Sequence, residues 1–462
     1  MSRFGELRAL MSRASLSAFA RKVLWWEVCD FAAQNREEFE AVWRPYMQGY
    51  LHHFQEPLAT FHDVSALWNA AELLPFGRFD YWPGSMNDLL AVPRDLWSNV
   101  STVSIQQMDR ERVLEYLCEG SWVGVYGLHL GPCELGVEGL SRLLDAGVIG
   151  CLKGLSLHNN KLGEDGVRLL AGSGETLGLE RLSLAWERVR EHARMGCMGE
   201  LVSSGAFANL ESLELSNCGV GREELYGFVG PMCLNKLKRL VLKSNRLGAS
   251  EMELLASAPI CGELEVLDVG WNSIGDDGLL CLVESLGGAL RELDVSNNAI
   301  GVDGAHWLSG PTGLKSLERL NLARNDFGVE GLKVFFASDF IQRLSALNLN
   351  YCDFKTGMMD ACVSGGELHA LESFEFAGNN LNDDDLRVLV DKGISQNIQY
   401  LNLFKNKIGS QGAEFLASAS VLSHVRVMNL GLNYMGEAGV AALEHASCFE
   451  HIMELEVRNQ MS

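Results

Sequence analysis

The sequence lacks the long apolar run that a membrane-spanning helix requires. Its 462 residues are 47% hydrophobic and 21% charged, and nowhere do about eighteen uncharged apolar residues follow one another. It also lacks a secretory hydrophobic region after Met1, and its 12 cysteines are scattered from Cys29 to Cys448 rather than spaced as a small disulfide framework. We therefore expect a cytoplasmic protein with reduced thiols and no membrane span.

Basic residues are few for a chain of this length. Lys and Arg number 38 against 60 Asp and Glu, which gives a net charge of −22. Proteins that bind nucleic acid gain affinity when Lys and Arg displace the counterions of the phosphates. The charge therefore argues against nucleic acid as a ligand and favours a neutral or basic protein partner.

The motifs of common catalytic sites are missing as well. The sequence contains no P-loop, HExxH, GxSxG or paired CxxC motif, and the segment 310–316 fails the Walker spacing. His129, Cys133, Cys151 and His158 fall on adjacent repeats, but the repeat pattern itself explains the two cysteines, so structural roles are favoured over a zinc site. We predict no enzymatic activity, no metal and no cofactor.

What the sequence does contain is an internal repeat. Segments 237–245, 264–272 and 290–298 all fit the pattern L-x-x-L-x-L-x-x-N. The last position of this pattern recurs along the chain in steps of 27 residues, with one step of 26 and one of 31. The recurring positions are Cys133, Asn160, Glu187, Cys218, Asn245, Asn272, Asn298, Asn325, Cys352, Asn379, Asn406, Asn433 and Gln460.

Each unit continues with a turn and an amphipathic stretch. Ile274 and Gly275 are followed by Gly278 and then by the apolar residues of 279–286, which predict a helix of about ten to twelve residues. In the L-x-L segment the leucines should point inward and the residue between them outward. The Asn side chain carries donors and acceptors that can satisfy backbone groups in the turn. Because one unit cannot bury its own apolar face, neighbouring units must stack.

On these motifs, residues 121–460 resemble the ribonuclease-inhibitor-like subclass of leucine-rich-repeat proteins, which is also seen in Ran GTPase-activating proteins and nucleotide-binding immune receptors. The resemblance implies an α/β solenoid, a horseshoe with a concave parallel β-sheet and convex helices, that binds macromolecules along the concave face. We assign residues 99–462 to a domain of 13 repeats, with Val100–Ile105 as a degenerate fourteenth candidate. Residues 1–98 hold six of the 10 tryptophans and predict a small, mostly helical cap over the first repeat.

The outward residue of each strand predicts a central column on the concave sheet. The column reads His129, Ser156, Ser183, Glu214, Val241, Asp268, Asp294, Asn321, Asn348, Glu375, Asn402, Asn429 and Glu456. Flanking positions add large or charged side chains of the types that anchor interfaces: Trp186, Trp271, Arg324, Tyr351, Tyr400, Phe404 and Lys405. We therefore predict a non-enzymatic scaffold that binds a protein partner here, with a basic patch of the partner facing Glu214, Asp268, Asp294 and Glu375. A ladder of packed aromatic residues is the alternative explanation for Trp271 and Phe404.

The 31-residue step contains a basic segment that breaks the repeat, with Trp186, Arg188, Arg190 and Arg194 inside 186–197. Insertions of this kind map to loops and often lie on the binding side, whereas a bulge with solvated arginines is the plainer interpretation. The resemblance to Ran GTPase-activating proteins offers an alternative function, in which these arginines act on a GTPase. No motif of that family matches closely enough to transfer a residue.

The two ends of the chain leave further alternatives open. Residues 1–22 carry five basic residues against Glu6, which is typical of an organellar transit peptide as well as of a capping helix. Some effectors with similar repeats recruit ubiquitin ligases through an N-terminal F-box, an adaptor role for which 1–95 shows no clear pattern. The last strand is expected to be an uncapped edge, with Glu454, Glu456 and Arg458 either blunting it or forming a homodimer or subunit contact.

Overall fold

A computed structural model describes residues 60–61, 79–81 and 100–461, except for 120–124, 174–177, 187–196, 231–233, 311–312, 364–367, 450–451 and 459. The chain forms two compact units, Met1–Arg188 and Val189–Ser462. The helical character predicted for 1–98 lies outside the described residues, and the domain boundary near residue 98 stays a prediction.

The first unit carries parallel strands in chain order, each paired with the next. The strands are β1 (Thr60–Phe61), β2 (Phe79–Tyr81), β3 (Val100–Ile105), β4 (Gly127–Leu130), β5 (Gly154–Ser156) and β6 (Arg181–Ser183). The helices are α1 (Arg110–Glu119), α2 (Gly136–Asp145) and α3 (Gly163–Ser173). Val103 and Ile105 of β3 are fully buried, as the repeat pattern requires of its inward positions.

The second unit repeats the same alternation of strand and helix. Its strands are β7 (Ser212–Glu214), β8 (Arg239–Val241), β9 (Val266–Asp268), β10 (Glu292–Asp294), β11 (Arg319–Asn321), β12 (Ala346–Asn348), β13 (Ser373–Glu375), β14 (Tyr400–Asn402), β15 (Val427–Asn429) and β16 (Glu454–Glu456). Its helices are α4 (Cys197–Ser203), α5 (Arg222–Val229), α6 (Ala249–Ala256), α7 (Gly275–Ser285), α8 (Val302–Ser309), α9 (Gly328–Phe336), α10 (Met359–Cys362), α11 (Asp383–Val388), α12 (Ser410–Ser418) and α13 (Gly436–Glu444). Short 3₁₀ segments lead back to the sheet at Pro259–Gly262, Ile341–Arg343, Ser420–Leu422 and Ser447–Phe449.

The core lies between the strand layer and the helix layer. Leu293, in the middle of β10, pairs in register with Leu267 and Leu320, and all three are buried. A fully buried leucine contributes about 1.5–3 kcal/mol relative to an exposed one, so this column stabilises the stack of repeats. The α/β repeat solenoid predicted from the sequence is confirmed.

A ladder of buried asparagines joins successive repeats. Asn325 Oδ1 accepts hydrogen bonds from the backbone N–H groups of Asn298 (3.0 Å) and Ile300 (3.1 Å). Its Nδ2 donates to the carbonyls of Val295 and Leu322, both at 3.0 Å. The side chain therefore satisfies groups in its own repeat and in the preceding one, which is the role that the sequence predicts for this position.

Helices are also capped by residues of the neighbouring repeat. Gly301 precedes α8 and has no side chain to cap it, but Asp276 Oδ1 accepts from the N–H groups of Gly301 (2.7 Å) and Gly304 (2.9 Å). A carboxylate is favourable there because the N-terminus of a helix carries partial positive charge. This helix therefore depends on the neighbouring repeat for its local structure as well as for burial.

Candidate functional site

The pairing register of the second unit sets the predicted central column side by side on the strand face, the side of the sheet away from the helices. Neighbours along this column are Glu214, Val241, Asp268, Asp294, Asn321, Asn348, Glu375, Asn402, Asn429 and Glu456. In the first unit, His129, Ser156 and Ser183 form the corresponding column. Leucine spacing alone therefore locates the column.

Most polar side chains of the column are already engaged by their own strand ends. The side-chain oxygen accepts from the backbone N–H two residues later at Asn321, Asn348, Asn402, Asn429 and Glu456, with distances of 2.8–3.1 Å. Asp and Asn favour this local bond because their short side chains reach the backbone two residues on. The recurrence of Asp and Asn in the column thus has a structural cause. The prediction from the sequence, which treats these residues as contacts to a partner, does not include this cause.

Asp268 and Asp294 form the most congested part of the column. Asp294 Oδ1 accepts from the backbone N–H (2.9 Å) and Oγ (2.6 Å) of Ser296, and its Oδ2 accepts from Nδ2 of Asn321 (2.6 Å). Asp268 has one such bond, from the N–H of Gly270 at 2.8 Å. Burial, with the charge of Asp294 as the next largest cause, raises the pKa of Asp268 to about 6.

A second row of side chains projects from the turn that follows each strand. In each second-unit repeat where the structure describes it, the residue immediately before the ladder asparagine or its Cys counterpart has positive φ. These residues are Asn217, Ser244, Trp271, Asn297, Arg324, Tyr351, Gly378, Lys405 and Leu432. Asn and Gly are the residues that tolerate this left-handed conformation best. Trp, Arg and Tyr at this position therefore need a reason other than backbone preference.

Four of these side chains contact one another, and we name Trp271, Arg324, Tyr351 and Lys405 the aromatic–cation row. The Arg324 guanidinium carbon lies 5.5 Å from the ring centroid of Trp271 and 4.6 Å from that of Tyr351. Lys405 Nζ lies 5.6 Å from the centroid of Tyr351. Trp271 remains 46% exposed. Such cation–aromatic contacts order long side chains on the surface while leaving their faces open to a ligand.

Gly378 makes this arrangement possible. The ring of Tyr351 occupies the space that a Cβ atom on Gly378 would fill, so the ring lies across the turn of the next repeat and comes within reach of Lys405. Trp271 is not part of a continuous ladder of packed aromatic rings, because the equivalent positions of the two neighbouring repeats are Ser244 and Asn297. The row combines one open apolar surface with two charged groups.

The remaining predicted site residues are Tyr400 and Phe404 in the second unit, Trp186 in the first unit, and three arginines outside the described residues. Tyr400 is half-buried, pairs in register with Ser373 and Val427, and burial raises its pKa. Phe404 is half-buried beside Gly431. Trp186 is 57% exposed in the first unit. The predicted insertion-site residues Arg188, Arg190 and Arg194 lie outside the described residues.

Sequence reasoning missed several groups on this face. Asn350 donates through Nδ2 to Glu375 Oε2 (2.7 Å) and accepts from the N–H of Ala377 (2.6 Å), so it fixes the carboxylate. A basic residue also flanks the acidic column at Lys243, whose charge lowers the pKa of Asp268. The available signal was a polar residue two places after a column residue, as at Lys243 and Asn350, because residues two apart share the outward side of a strand.

The bases of the flanking positions nearly balance the acids of the face. Acids of the second unit's strand face are Glu214, Asp268, Asp294, Glu375 and Glu456 in the column with Glu292 and Glu454 beside it. Bases are Arg239, Lys243, Arg319, Arg324, Lys405 and Arg458. The face is therefore striped by charge, whereas the column alone suggests an acidic surface.

Two absences hold for the part of the chain that the structure describes. It contains no group of three or more His, Cys, Asp or Glu side chains arranged to hold a metal ion. Among the described helices, none has the length and apolar composition needed to cross a membrane.

A family model described as Leucine Rich repeat matches residues 264–283, 290–306, 313–336 and 395–417. No curated protein matches the chain. Among solved structures, an internalin from Listeria monocytogenes str. 4b F2365 is 15% identical over 80% of this chain and 90% of its own, with a TM-score of 0.41. A structure of the yeast Rad7 and Elc1 complex is 14% identical over 96% of this chain and 98% of the other, with a TM-score of 0.43. Likeness this low says nothing about a ligand, and the ribonuclease-inhibitor-like subclass stays a prediction.

Proposed function

Because the chain is a leucine-rich-repeat protein, we propose that it is a non-enzymatic scaffold that binds a protein partner on the strand face of its second unit. The observation that carries this proposal is the aromatic–cation row, in which the half-exposed Trp271 is held beside Arg324 and Tyr351 at the ends of packed strands. The row is the anchor of the proposed interface.

The residue types and their rigidity both support this role. Trp, Tyr and Arg are the side chains that most often dominate binding energy at protein interfaces. The backbone under the row is fixed by the asparagine ladder, and the rings and cations order one another. A surface that is ordered before binding loses less conformational entropy when the partner arrives.

The central column supports a further detail of the partner. Asp268 and Asp294 are neighbours in register, and the charge of Asp294 helps to raise the pKa of Asp268. A basic side chain of the partner would relieve this repulsion, so we propose that the partner presents Lys or Arg to this pair. The charges of the flanking positions make a uniformly basic partner a poor match for the rest of the face.

A cytoplasmic location is part of the same proposal. Cys133, Cys197, Cys218, Cys261 and Cys352 are buried as free thiols. Buried free thiols are in keeping with a reducing compartment, in which disulfides are rare.

The test is quantitative affinity capture from a native lysate of the source organism, followed by titration of the purified partner. We expect the double variant Trp271→Ser/Arg324→Ser to lose a partner that the wild type retains. The matched control is Trp307→Ser, because Trp307 is 42% exposed on helix α8, in the helix layer. Equal partner affinity for the wild type and both variants would remove the aromatic–cation row from the function.

A further inference from the structure

Two cations of the row share one aromatic ring, and the described residues offer them no acidic partner. Arg324 and Lys405 both lie over the ring of Tyr351, with their charged groups 4.6 Å and 5.6 Å from its centroid. Within the described part of the chain, neither side chain forms an ion pair or a hydrogen bond; their contacts are with the rings of Trp271 and Tyr351. Two like charges gathered on one ring repel each other unless an anion lies between or beside them.

Three cations at the opposite end of the strands are arranged differently. Lys238 pairs with Glu265 (3.4 Å), and Arg291 pairs with Glu318 (2.8 Å) on the following repeat. Arg319, within β11, likewise pairs with Glu292 of the preceding repeat at 2.9 Å. The chain has 60 acidic residues against 38 basic ones, so paired cations are the expected outcome. Arg324 and Lys405 depart from this expectation because they face aromatic rings and solvent.

We infer that the aromatic–cation row binds an acidic segment of the partner protein, whose carboxylates meet Arg324 and Lys405 while an adjacent apolar side chain covers Trp271. This inference rests on the proposed function, because it names the chemistry that the partner brings to that site. The guanidinium of Arg324 makes no hydrogen bond to the described residues, so its N–H groups can donate two hydrogen bonds to a carboxylate. The partner therefore presents basic side chains to Asp268 and Asp294 and acidic side chains to the aromatic–cation row.

Acids beside the row disfavour a ligand with a high negative charge. Glu375 lies three residues before Gly378, and Asp294 is hydrogen-bonded to Asn321, three residues before Arg324. A phosphate with nearly two negative charges would be repelled more strongly by these acids than a carboxylate with one. A protein segment rather than a small anion is indicated because the row offers the exposed indole of Trp271 next to the charges.

The experiment is selection of random displayed peptides on the full-length chain, followed by affinity measurement with the recovered peptides. Three variants are compared with the wild type: Arg324→Glu/Lys405→Glu, Trp271→Ser, and the control Lys238→Glu/Arg291→Glu. The control makes the same change in net charge, but at cations that already have acidic partners. Each recovered acidic peptide is also made with phosphoserine in place of Asp and Glu.

We expect the wild type to recover peptides rich in Asp and Glu next to an apolar residue. Their affinity should fall about tenfold or more in Arg324→Glu/Lys405→Glu and change less than about twofold in the control variant. Peptides that require Trp271 but are neutral or basic, or that bind Arg324→Glu/Lys405→Glu equally well, would overturn the inference and leave the proposed function intact. A preference for phosphoserine would overturn the choice of carboxylate. Recovery of no peptide that depends on Trp271 would count against both the inference and the proposed function.

Discussion

The ring of Tyr351 lies in the space above Gly378 that a side chain would otherwise occupy. Gly378 has φ of 68°, the left-handed conformation shared by its counterparts in neighbouring repeats. Since these two residues are 27 positions apart, the aromatic–cation row depends on the absence of a side chain one repeat away. The row is therefore sensitive to a substitution that removes none of its members.

Replacing Gly378 with alanine should displace Tyr351 and strain the turn. A left-handed backbone costs a residue with a side chain about 1–2 kcal/mol, and the overlap with the ring adds to this, so we expect the free energy of unfolding to fall by about 1–3 kcal/mol. Urea denaturation measures this change, and titration of the partner should show a loss of affinity. The control is Gly262→Ala, where a Cβ atom would meet no heavy atom within 4 Å. Equal stability of the two variants would contradict the assignment of Tyr351 to this position.

Replacing Asn325 with alanine should weaken the contact between two repeats. The substitution leaves the N–H groups of Asn298 and Ile300 and the carbonyls of Val295 and Leu322 without their buried partner. We expect the free energy of unfolding to fall by about 2–4 kcal/mol, because buried polar groups without partners are costly. The exposed Asn209 accepts from Lys236 at 2.7 Å, and Asn209→Ala should change stability by less than about 0.5 kcal/mol. A similar small loss for Asn325→Ala would mean that the ladder contributes little.

The fold and the column could be predicted because a single pattern determines both. Leucines at fixed spacing must be buried, so the residues between them must face outward. The L-x-L segments of neighbouring repeats set the register of Asp268 against Asp294, although the step between these two repeats is 26 residues. The bonds of Asn325 follow from the same logic, since its turn contains N–H groups that no strand partner reaches.

The aromatic–cation row could not be predicted from this pattern. The residue type at this repeat position differs from repeat to repeat, and the contact of Arg324 with Tyr351 depends on side-chain rotamers. The reach of Tyr351 toward Lys405 depends on a glycine in the intervening repeat. The sequence predicts Trp271, Arg324, Tyr351 and Lys405 as separate anchors, whereas their mutual contacts depend on side-chain positions that the repeat spacing does not determine.

The burial of the cysteines predicts which thiols react with a chemical reagent in the folded protein. Burial raises the pKa of Cys261 and Cys352 to about 12, so at neutral pH these thiols should be almost entirely protonated and shielded from reagents. Cys151 is exposed in the first unit. We expect a thiol reagent at pH 7.5 to modify Cys151 well before Cys261 or Cys352, as followed by peptide mass spectrometry. Denatured protein is the control, in which all three should react at comparable rates. If Cys352 in the folded protein were labelled as fast as Cys151, Cys352 could not be buried at the position that asparagine occupies in most other repeats.

Asp268 predicts a pH dependence whose sign is unusual for a carboxylate. Its pKa is raised from 3.8 to about 6 in the folded protein, so the folded state holds this proton more tightly than the unfolded chain does. The charged form therefore lowers stability above pH 6, and this penalty fades as the pH falls toward 4. Asp268→Asn removes the charge and keeps an oxygen that can accept from the N–H of Gly270.

We expect Asp268→Asn to raise the free energy of unfolding at pH 7.5 by about 1–2 kcal/mol, less than the full shift implies because solvent screens part of the charge. The gain should shrink steadily between pH 6 and pH 4, as measured by urea denaturation at each pH. The same substitution at an exposed position, Asp339→Asn, is measured alongside as the control. In a complex with a basic partner at Asp268, the same variant should instead weaken binding at pH 7.5, because the partner's cation loses its counter-charge. Curves for Asp268→Asn and wild type that stay parallel from pH 4 to 8 would show that Asp268 titrates as an ordinary carboxylate, and that no repulsion with Asp294 awaits relief by a partner.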